Sequence, residues 1–303
     1  DVGPLRPGGW PAYLSGSAWV ANSAGAEAQH GWDLALVSDV PVGAGLSSSA
    51  AITCATLLAM DDLDGWNRPR IELARWGQRV ENEVVGTPCG IMDQTASLLC
   101  ITDHVLFMDT RSGVTEQVPW SVAASDLVLL VTNTNAPHVL ADGQYANRRQ
   151  QCEQATRILG VASLRDASLA DLDAAAERLT ADQAACAHHV ITENGRVVEV
   201  REFLSSGRIA DVGPVLSASH ASLRDDFRVT VPQLDVSVEA ALAAGALGAR
   251  MTGGGFGGCT IALGFSSEVA STAQAIDSAF AAHGFAAPEH FVARPAQGAR
   301  RDE

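Results

Sequence analysis

The feature that most constrains the fold is a glycine- and serine-rich stretch, Pro41–Ala51, which reads PVGAGLSSSAA. An apolar helical pattern that includes Cys54 and Leu58 follows it, and the run Asp33–Ser38 before it alternates as a strand does. The order strand, glycine loop, helix is typical of an anion site, because glycines let the backbone approach a phosphate and the first helical N–H groups have no partner inside the helix. A turn with an ordinary helix cap explains the same residues, so both interpretations stay open at this point.

Two known phosphate-binding motifs do not fit this stretch. The P-loop requires a lysine that reaches the phosphates, and the sequence contains no lysine, so that all 20 basic residues are arginine. The dinucleotide fingerprint requires a third glycine at the position of Ser48. A phosphate at this loop would therefore be held by backbone amides and serine hydroxyls.

Composition and charge narrow the class of protein. A length of 303 residues suggests one large domain or two ordinary ones. The net charge of −15 argues against nucleic acid and anionic membranes as partners, so an anionic ligand would need a local device such as Mg²⁺, a helix N-terminus or arginine. No apolar run approaches the roughly 18 residues of a membrane span. The six cysteines are scattered without a C-x-x-C pair, which indicates reduced thiols in a cytoplasmic protein.

The candidate acid–base side chains lie between residues 81 and 94. Glu81 and Glu83 come late in the helical pattern of residues 70–85, where carboxylates are mildly unfavourable beside the negative end of the helix dipole. Asp93 follows a turn that contains glycine and proline, and it falls in the first turn of the next predicted helix. Such an aspartate either satisfies free helix N–H groups or acts as a base facing a cleft, and the local sequence does not separate the two roles.

A second glycine cluster, Gly253–Gly258, has glycine at five of its six positions and precedes an apolar strand, Cys259–Leu263. This density exceeds the need of a simple hairpin, and it lets the backbone curl around a ligand or lie close to another backbone. The remaining segments are predicted from periodicity and turn residues. They are β segments at 105–108, 114–118 and 126–131, and helices at 51–62, 142–160, 161–185, from 188 onward, 232–245 and 269–280, with a frayed tail from 296.

Two pairs of neighbouring side chains are interpreted as structural rather than functional. Trp10 and Tyr13 are three residues apart, which favours an aromatic pair that faces the core from one helical segment. His188 and His189 point about 100° apart on a helix, so they cannot share a metal ion as histidines four residues apart would.

In combination, these segments resemble those of the GHMP kinases, and within that family the galactokinases. The resemblance extends from about Trp10 to Phe291. The segments that carry it are Pro41–Ala51, Glu81–Gly86, Pro88–Gln94, Asn133–Thr134 with His138, Tyr145 with Arg148–Arg149 and Cys152–Glu153, His220–Asp225 and Gly248–Gly258. Each glycine stretch alone is a weak signal, whereas the whole set is specific.

The resemblance implies an α+β fold of two domains, 1–121 and 122–303, with the active site in the interdomain cleft. It implies a kinase that moves the γ-phosphoryl group of ATP to the anomeric hydroxyl of galactose, giving galactose 1-phosphate and ADP, with Mg²⁺ assisting the transfer. The expected partners are the sugar and ATP, without nucleic acid or membrane, and the expected state is a cytoplasmic monomer.

The resemblance also implies roles for single residues. Ser49 and Glu81 would hold Mg²⁺, and Asp93 would act at the sugar as general base or as an orienting group. Gly90 and Tyr145 would contact the sugar together with Asp93. The ATP phosphates would be held by Gly43, Ala44, Gly45, Leu46, Ser47, Ser48 and Ser49, with Gly253, Gly254 and Gly255 lining the site from the second domain.

One expected segment has no counterpart in the sequence. The first motif of the family, with most of its sugar-binding side chains and an arginine for the transferring phosphate, should precede Trp10. We therefore expect the chain to be a fragment whose activity depends on that motif. Two alternatives stay open: another GHMP sugar kinase, such as an N-acetylgalactosamine kinase, and a non-catalytic fragment that binds sugar or nucleotide.

Overall fold

The computed structural model describes residues 8–26, 31–41, 45–87, 89–120, 126–136 and 141–302. The chain divides into two units: unit 1 comprises Asp1–Val42, Ser47–Trp120 and Pro295–Glu303, and unit 2 comprises Gly43–Leu46 and Ser121–Arg294. The predicted domain boundary between residues 121 and 122 falls outside the described residues and stays a prediction.

Unit 1 is mostly helical in its described part. Its elements are α1 (Pro11–Ser23), α2 (Ser48–Asp64), α3 (Arg70–Arg79), α4 (Met92–Leu99), β1 (His104–Met108) and β2 (Thr115–Pro119). The two strands, at the places of the predicted β segments, pair with each other in antiparallel fashion. Apolar side chains that include Leu57, Leu73 and Trp76 form the core among the helices. Gly65 ends α2 in the left-handed conformation (φ 65°), close to the predicted end of this helix at residue 62.

A wide helical turn follows α3 and positions Glu81. Residues Val80–Val85 continue the helix as a π-helical turn. The N–H groups of Gly86 and Thr87 both donate to the carbonyl oxygen of Glu81, at 2.8 and 2.9 Å. Gly86 ends the turn with φ 86°, which glycine adopts without strain. Turns of this kind often mark functional positions, and here Glu81 is only 4% exposed.

The prediction of a strand at Asp33–Ser38 is wrong. No described residue pairs with this segment in a sheet. Leu34 and Leu36 are 43% and 45% exposed, and Val37 is 97% exposed. An alternating pattern supplies strand propensity only, and a strand forms when a neighbour takes up its N–H and C=O groups.

The expectation of a frayed tail is also wrong. The N–H of Gly298 donates to the carbonyl oxygen of Cys100 at 2.8 Å. The N–H of Ala299 donates to the carbonyl oxygen of Ser97 at 2.7 Å. The last residues are therefore tied to α4 of unit 1 by backbone hydrogen bonds, which their polar composition does not reveal.

Unit 2 contains an antiparallel sheet and several helices in its described part. Its elements are β3 (Leu127–Asn133), α5 (Ala141–Leu159), α6 (Leu169–Ala174), α7 (Ala181–Ser205), α8 (Val212–Ser222), α9 (Pro232–Ala243), β4 (Gly248–Met251), β5 (Cys259–Phe265), α10 (Val269–His283) and β6 (Glu289–Ala293). The strand order is β4-β5-β3-β6, and neighbouring strands are antiparallel. Phe280 and Ile276 of α10 share one core cluster with Leu130 of β3, so this helix covers the sheet. The strands predicted at 126–131 and 259–263 are confirmed.

The helix predicted to begin near His188 begins earlier. α7 starts behind a capping box, in which the N–H of Gln183 donates to the Thr180 hydroxyl at 3.2 Å. The N–H of Thr180 donates in return to the side-chain oxygen of Gln183 at 2.9 Å. The T-x-x-Q pattern at 180–183 is the sequence signal for this start.

The two adjacent histidines are internal to α7 and contact different partners. His188 Nδ1 lies 3.1 Å from Asp226 Oδ2, and His189 Nδ1 lies 3.0 Å from the Ser222 hydroxyl. The ring of His189 also stacks on Phe227, with centroids 4.5 Å apart. These contacts support the interpretation of both histidines as structural.

Candidate active site

The first glycine loop leads into α2 through left-handed backbone. Gly45 has φ 71°, and Ser47 has φ 58° and ψ 38°. Ser48 and Ser49 then open the helix. Ser47 makes no side-chain capping bond, so its hydroxyl does not occupy the first N–H groups of α2. A left-handed residue other than glycine at such a place is a candidate functional position.

The two glycine clusters lie in backbone contact within unit 2. A Cβ atom built on Gly253 would lie 3.0 Å from the carbonyl oxygen of Gly45 and 3.4 Å from its Cα atom. Both residues have positive φ, 81° and 71°, so a side chain is disfavoured at either position. The close backbone approach predicted for the second cluster is thereby confirmed. Gly43 and Ala44, predicted to hold phosphate with Gly45, lie outside the described residues.

The second glycine loop follows a left-handed path between β4 and β5. Gly255 (φ 85°) passes so close to Val229 that a Cβ atom there would lie 2.4 Å from the Val229 carbonyl oxygen. The N–H of Phe256 donates to the same oxygen at 2.7 Å. Gly254 differs, because a Cβ atom built on it meets nothing within 4 Å. The loop therefore packs against the backbone of Val229 at Gly255, and it has open space beside Gly254.

Two buried polar residues hold the ends of this loop. Before it, the N–H of Met251 donates to His220 Nδ1 at 3.2 Å. After it, the N–H and the hydroxyl of Thr134 both donate to the carbonyl oxygen of Gly258, at 3.1 and 2.6 Å. His220 and Thr134 belong to segments that carry the family resemblance, but the sequence alone gives them no role. Their hydrogen bonds hold the two ends of the loop.

The predicted metal ligands Ser49 and Glu81 lie together in unit 1. The Ser49 hydroxyl is near enough to the Glu81 carboxylate to lower its pKa. The carboxylate accepts a hydrogen bond from Gln94, whose Nε2 lies 2.6 Å from Glu81 Oε1. Asp93 is near enough for its charge to act on Glu81. The structure therefore brings three predicted residues together, and it adds Gln94, which sequence reasoning missed.

Burial governs the ionisation of Glu81. Removal from water raises the pKa of this carboxyl above its ordinary value. The nearby Ser49 hydroxyl and the hydrogen bond from Gln94 oppose the rise in pKa, and the negative charge of Asp93 adds to it. A divalent cation beside such a carboxylate would offset the cost of burying its charge.

Asp93 and Gly90 lie at the start of α4. Asp93 is in the first turn, as predicted, and is half-buried, whereas Gly90 is exposed. The preceding loop is held by two amide side chains of the α3 region. The N–H of Cys89 donates to Asn82 Oδ1 at 2.8 Å, and Gln78 Nε2 donates to the Cys89 carbonyl oxygen at 3.2 Å. These bonds fix the backbone that leads into Gly90 and Asp93.

A cavity of about 920 Å³ in unit 1 reaches the start of α2. Its lining includes Trp10, Tyr13, Leu36, Ser48, Ser49 and Ile52. Burial raises the pKa of the Tyr13 hydroxyl, and the negative charge of Glu81 adds to the rise. Trp10 is 58% exposed, so the expected core-facing aromatic pair is wrong. Tyr13 instead belongs to the surroundings of Glu81.

The other predicted ligand contacts lie in unit 2. Tyr145 is on α5 and is 40% exposed. Gly253, Gly254 and Gly255 lie in the loop between β4 and β5. The contact of Tyr145 with the sugar and that of the glycines with phosphate stay predictions.

The donor set in unit 1 suits a hard divalent cation. Within the described ranges, no group of three or more His, Cys, Asp or Glu side chains is arranged to hold a metal ion. Ser49 and Glu81 offer a hydroxyl and a carboxylate oxygen, and Mg²⁺ prefers oxygen ligands. Because Mg²⁺ in kinases is usually held by one or two carboxylates together with substrate phosphates and water, these residues fit it.

Known proteins identify the family. The profile of the GHMP kinases N terminal domain matches residues 13–100, and that of the GHMP kinases C terminal matches residues 200–282. A galactokinase of Streptomyces coelicolor is 48% identical over 303 residues, which cover 99% of this chain and 78% of the relative. The chain belongs to the galactokinase family.

Other galactokinases agree with this assignment. The galactokinase of Pasteurella multocida is 40% identical, with 98% of this chain and 78% of the relative covered. The crystal structure of Lactococcus lactis galactokinase complexed with galactose matches with a TM-score of 0.92 and 32% identity, covering 97% of this chain and 78% of that one. The expected α+β GHMP kinase fold is therefore confirmed, and ATP is the co-substrate of this kinase family. No helix in the described part of the chain has the length and apolar character needed to cross a membrane.

Proposed function

We propose that this chain performs the phosphoryl transfer of a galactokinase, from ATP to the anomeric hydroxyl of galactose, giving galactose 1-phosphate and ADP. Identities of 48% and 40% to galactokinases over nearly the whole chain support the choice of substrate. The observation that carries the mechanism is that Ser49, in the first turn of α2, and Asp93 both lie close enough to Glu81 to influence its carboxylate. Phosphoryl transfer depends on positioning and on stabilisation of charge, and this group of residues supplies both.

The start of α2 is the proposed place of the ATP phosphates. Ser47, Ser48 and Ser49 bring hydroxyls to the positive end of the helix, where backbone N–H groups are free of helical partners. Gly43–Leu46 and Gly253–Gly255 are the further proposed phosphate contacts, through their backbone amides. Such a site needs no lysine, because helix N–H groups and a cation balance the phosphate charge.

Ser49 and Glu81 are the proposed ligands of Mg²⁺, which would neutralise charge on the phosphates during transfer. The hydroxyl and the carboxylate are close enough to interact, which suits two ligands of one small ion. This role explains why a carboxylate is buried in the turn after α3, where the helix dipole disfavours it.

Asp93 is the proposed general base or orienting group for the anomeric hydroxyl. It is half-buried in the first turn of α4, and its charge acts on the neighbouring Glu81. As a base it would take the hydroxyl proton and make the sugar oxygen a stronger nucleophile, and as an orienting group it would accept a hydrogen bond from it. Gly90, which is exposed, and Tyr145 are the proposed sugar contacts.

We propose further that the protein acts as a monomer in the cytoplasm. Its charge of −15 does not suit nucleic acid or an anionic membrane, and its six cysteines are free thiols, which fits a reducing compartment. Light scattering after gel filtration tests the monomer directly, since a mass of twice 31.5 kDa would contradict it.

The assay that tests the function follows ADP release and sugar 1-phosphate formation with ATP and galactose. The chain is assayed alone and joined at its amino end to the segment that carries the first motif of a galactokinase relative. We expect the joined form to phosphorylate galactose and to leave mevalonate and homoserine unchanged. Phosphorylation of mevalonate or homoserine instead of galactose would contradict the proposal, and a preference for N-acetylgalactosamine would favour the other sugar kinase.

A further inference from the structure

The amide of Gln94 makes a direct contact with the proposed metal ligand Glu81. Gln94 Nε2 donates to Glu81 Oε1 at 2.6 Å, which is short for a hydrogen bond from a nitrogen atom. Bonds to an ionised acceptor are shorter and stronger than bonds between neutral groups. Gln94 is 1% exposed and Glu81 is 4% exposed, so water does not substitute readily for this bond.

Neighbouring segments restrain both the backbone and the side chain of Gln94. Its backbone carbonyl accepts a hydrogen bond from Cys54 Sγ of α2 at 3.7 Å. Its Nε2 also lies 3.6 Å from Cys89 Sγ. A Cβ atom built on Gly77 of α3 would lie 3.1 Å from Gln94 Cγ, so the glycine makes room for this side chain. The amide is therefore held against the Glu81 carboxylate.

We propose that Gln94 is a positioning residue of the Mg²⁺ site, which orients the Glu81 carboxylate for binding a cation together with Ser49. The inference rests on the proposed Mg²⁺ role of Ser49 and Glu81. An amide suits this task because it donates a hydrogen bond without adding charge. An arginine at this position would compete with the cation for the carboxylate, and a second carboxylate would repel Glu81.

A purely structural role for Gln94 makes a different prediction. In that case the amide only satisfies a buried carboxylate, and its loss lowers stability without changing the Mg²⁺ affinity of the folded protein. Gln117 provides the matched control, since its Nε2 donates at 2.7 Å to the carbonyl oxygen of Leu99 rather than to a carboxylate. In Gln117 and in Gln94 alike, the side-chain oxygen is buried without a hydrogen-bond partner among the residues that the structure describes.

The experiment measures the affinity for ADP by calorimetry at increasing Mg²⁺ in the wild type, Gln94→Met and Gln117→Met. In Gln94→Met we expect the Mg²⁺ concentration that gives half of the gain in ADP affinity to rise about 10- to 100-fold, the usual effect of losing a hydrogen-bond partner of a metal ligand. In Gln117→Met we expect this concentration to stay within about twofold of the wild type, because the two sites share no partner. The electron paramagnetic resonance spectrum of Mn²⁺ bound with ADP gives a second readout. It should change in Gln94→Met and stay as in the wild type in Gln117→Met.

Each outcome decides between named alternatives. An unchanged Mg²⁺ midpoint in folded Gln94→Met would overturn the role of Gln94 while leaving the Mg²⁺ site in place. If Gln94→Met does not fold, Gln94→Asn replaces it, because the shorter side chain withdraws the amide from Glu81 and the same rise is expected. A wild-type chain whose ADP affinity does not respond to Mg²⁺ would overturn the proposed Mg²⁺ site, and the role of Gln94 with it.

Discussion

The two candidate regions of this chain are built in opposite ways. Around Glu81 the groups that matter are side chains, since a carboxylate, a hydroxyl and an amide meet there in the interior of unit 1. In the loop Gly253–Gly258 of unit 2, side chains are nearly absent, and neighbouring carbonyl and hydroxyl groups hold the backbone. The first region depends on charge, and the second depends on backbone shape.

This difference determines how each region responds to substitution. Where side chains act, a change of similar shape removes one chemical group and leaves the packing intact. Where the backbone acts, as at Gly255, even a methyl group deforms the loop, because the nearest atoms belong to another backbone segment of a close-packed interior. We therefore expect substitutions near Glu81 to lower activity, and substitutions in the glycine loop to lower the free energy of unfolding.

The largest expected effect is on turnover, from Asp93→Asn beside Glu81. The change keeps the shape and removes the negative charge, so we expect kcat to fall about 10²- to 10⁴-fold with the affinity for ADP retained. Glu83→Gln is the control, because Glu83 is exposed and pairs with Arg79 at 2.9 Å. A coupled assay of ADP release measures kcat in both variants. Full activity in Asp93→Asn would exclude this residue as base or orienting group.

The next effect is on stability, from Gly255→Ala in the glycine loop. The new methyl group would lie 2.4 Å from the Val229 carbonyl oxygen at φ 85°, so we expect a loss of about 2–4 kcal/mol in the free energy of unfolding. Gly254→Ala is the matched control, and it should change the free energy of unfolding by less than about 0.5 kcal/mol, since its Cβ atom meets open space. Urea unfolding measures both. Equal losses would show that the loop is not held by backbone contact.

A smaller effect, on the Mg²⁺ dependence of activity, is expected from Glu81→Gln. Unlike Gly255→Ala, this change should not lower stability. The variant removes the proposed Mg²⁺ ligand, so the Mg²⁺ concentration needed for half-maximal activity should rise more than about tenfold. Because burial already disfavours the charged carboxylate, the neutral amide should leave the melting temperature unchanged or raise it. An unchanged Mg²⁺ titration would remove the assigned role of Glu81.

The smallest expected effect concerns pH and belongs to unit 2. Burial lowers the pKa of His189 to about 4, below its ordinary value of 6.5. The unfolded chain therefore binds a proton that the folded chain excludes, and stability is lost as pH falls from 6.5 toward 4. Between pH 7 and pH 5 we expect the wild type to lose about 1–2 kcal/mol more than His189→Asn, in which the amide still donates to Ser222 and does not titrate. Urea unfolding at the two pH values measures this, and equal losses would show that His189 does not contribute to acid sensitivity.

Elements with local signals could be predicted from the sequence. Gly65 ends α2, Asp93 falls in the first turn of α4, and the run Cys259–Leu263 lies in β5, because glycine turns, caps and alternation act over a few residues. The residues of the Glu81 region could be predicted in part from the family resemblance. The resemblance indicates Ser49, Glu81 and Asp93, but it gives no distances between them.

Features that depend on distant partners could not be predicted in this way. The segment Asp33–Ser38 alternates as a strand does, yet its conformation depends on a neighbour that the pattern does not contain. The tail is held through Gly298 by Cys100, almost two hundred residues earlier in the chain. Gln94 meets Glu81 because a π-helical turn and a loop separate them, and a spacing of 13 residues fits neither helix nor strand periodicity.

The most direct measurement is the formation of galactose 1-phosphate, followed by phosphorus NMR, since it requires the group around Glu81 and Asp93 to act on galactose. It is made in the chain joined to the first-motif segment, with and without Asp93→Asn. We predict a galactose 1-phosphate signal from the form with Asp93, and its loss in Asp93→Asn while ATP stays bound. Formation of galactose 1-phosphate at the same rate in Asp93→Asn, or none from the form with Asp93 although ATP is bound, would contradict the proposed mechanism.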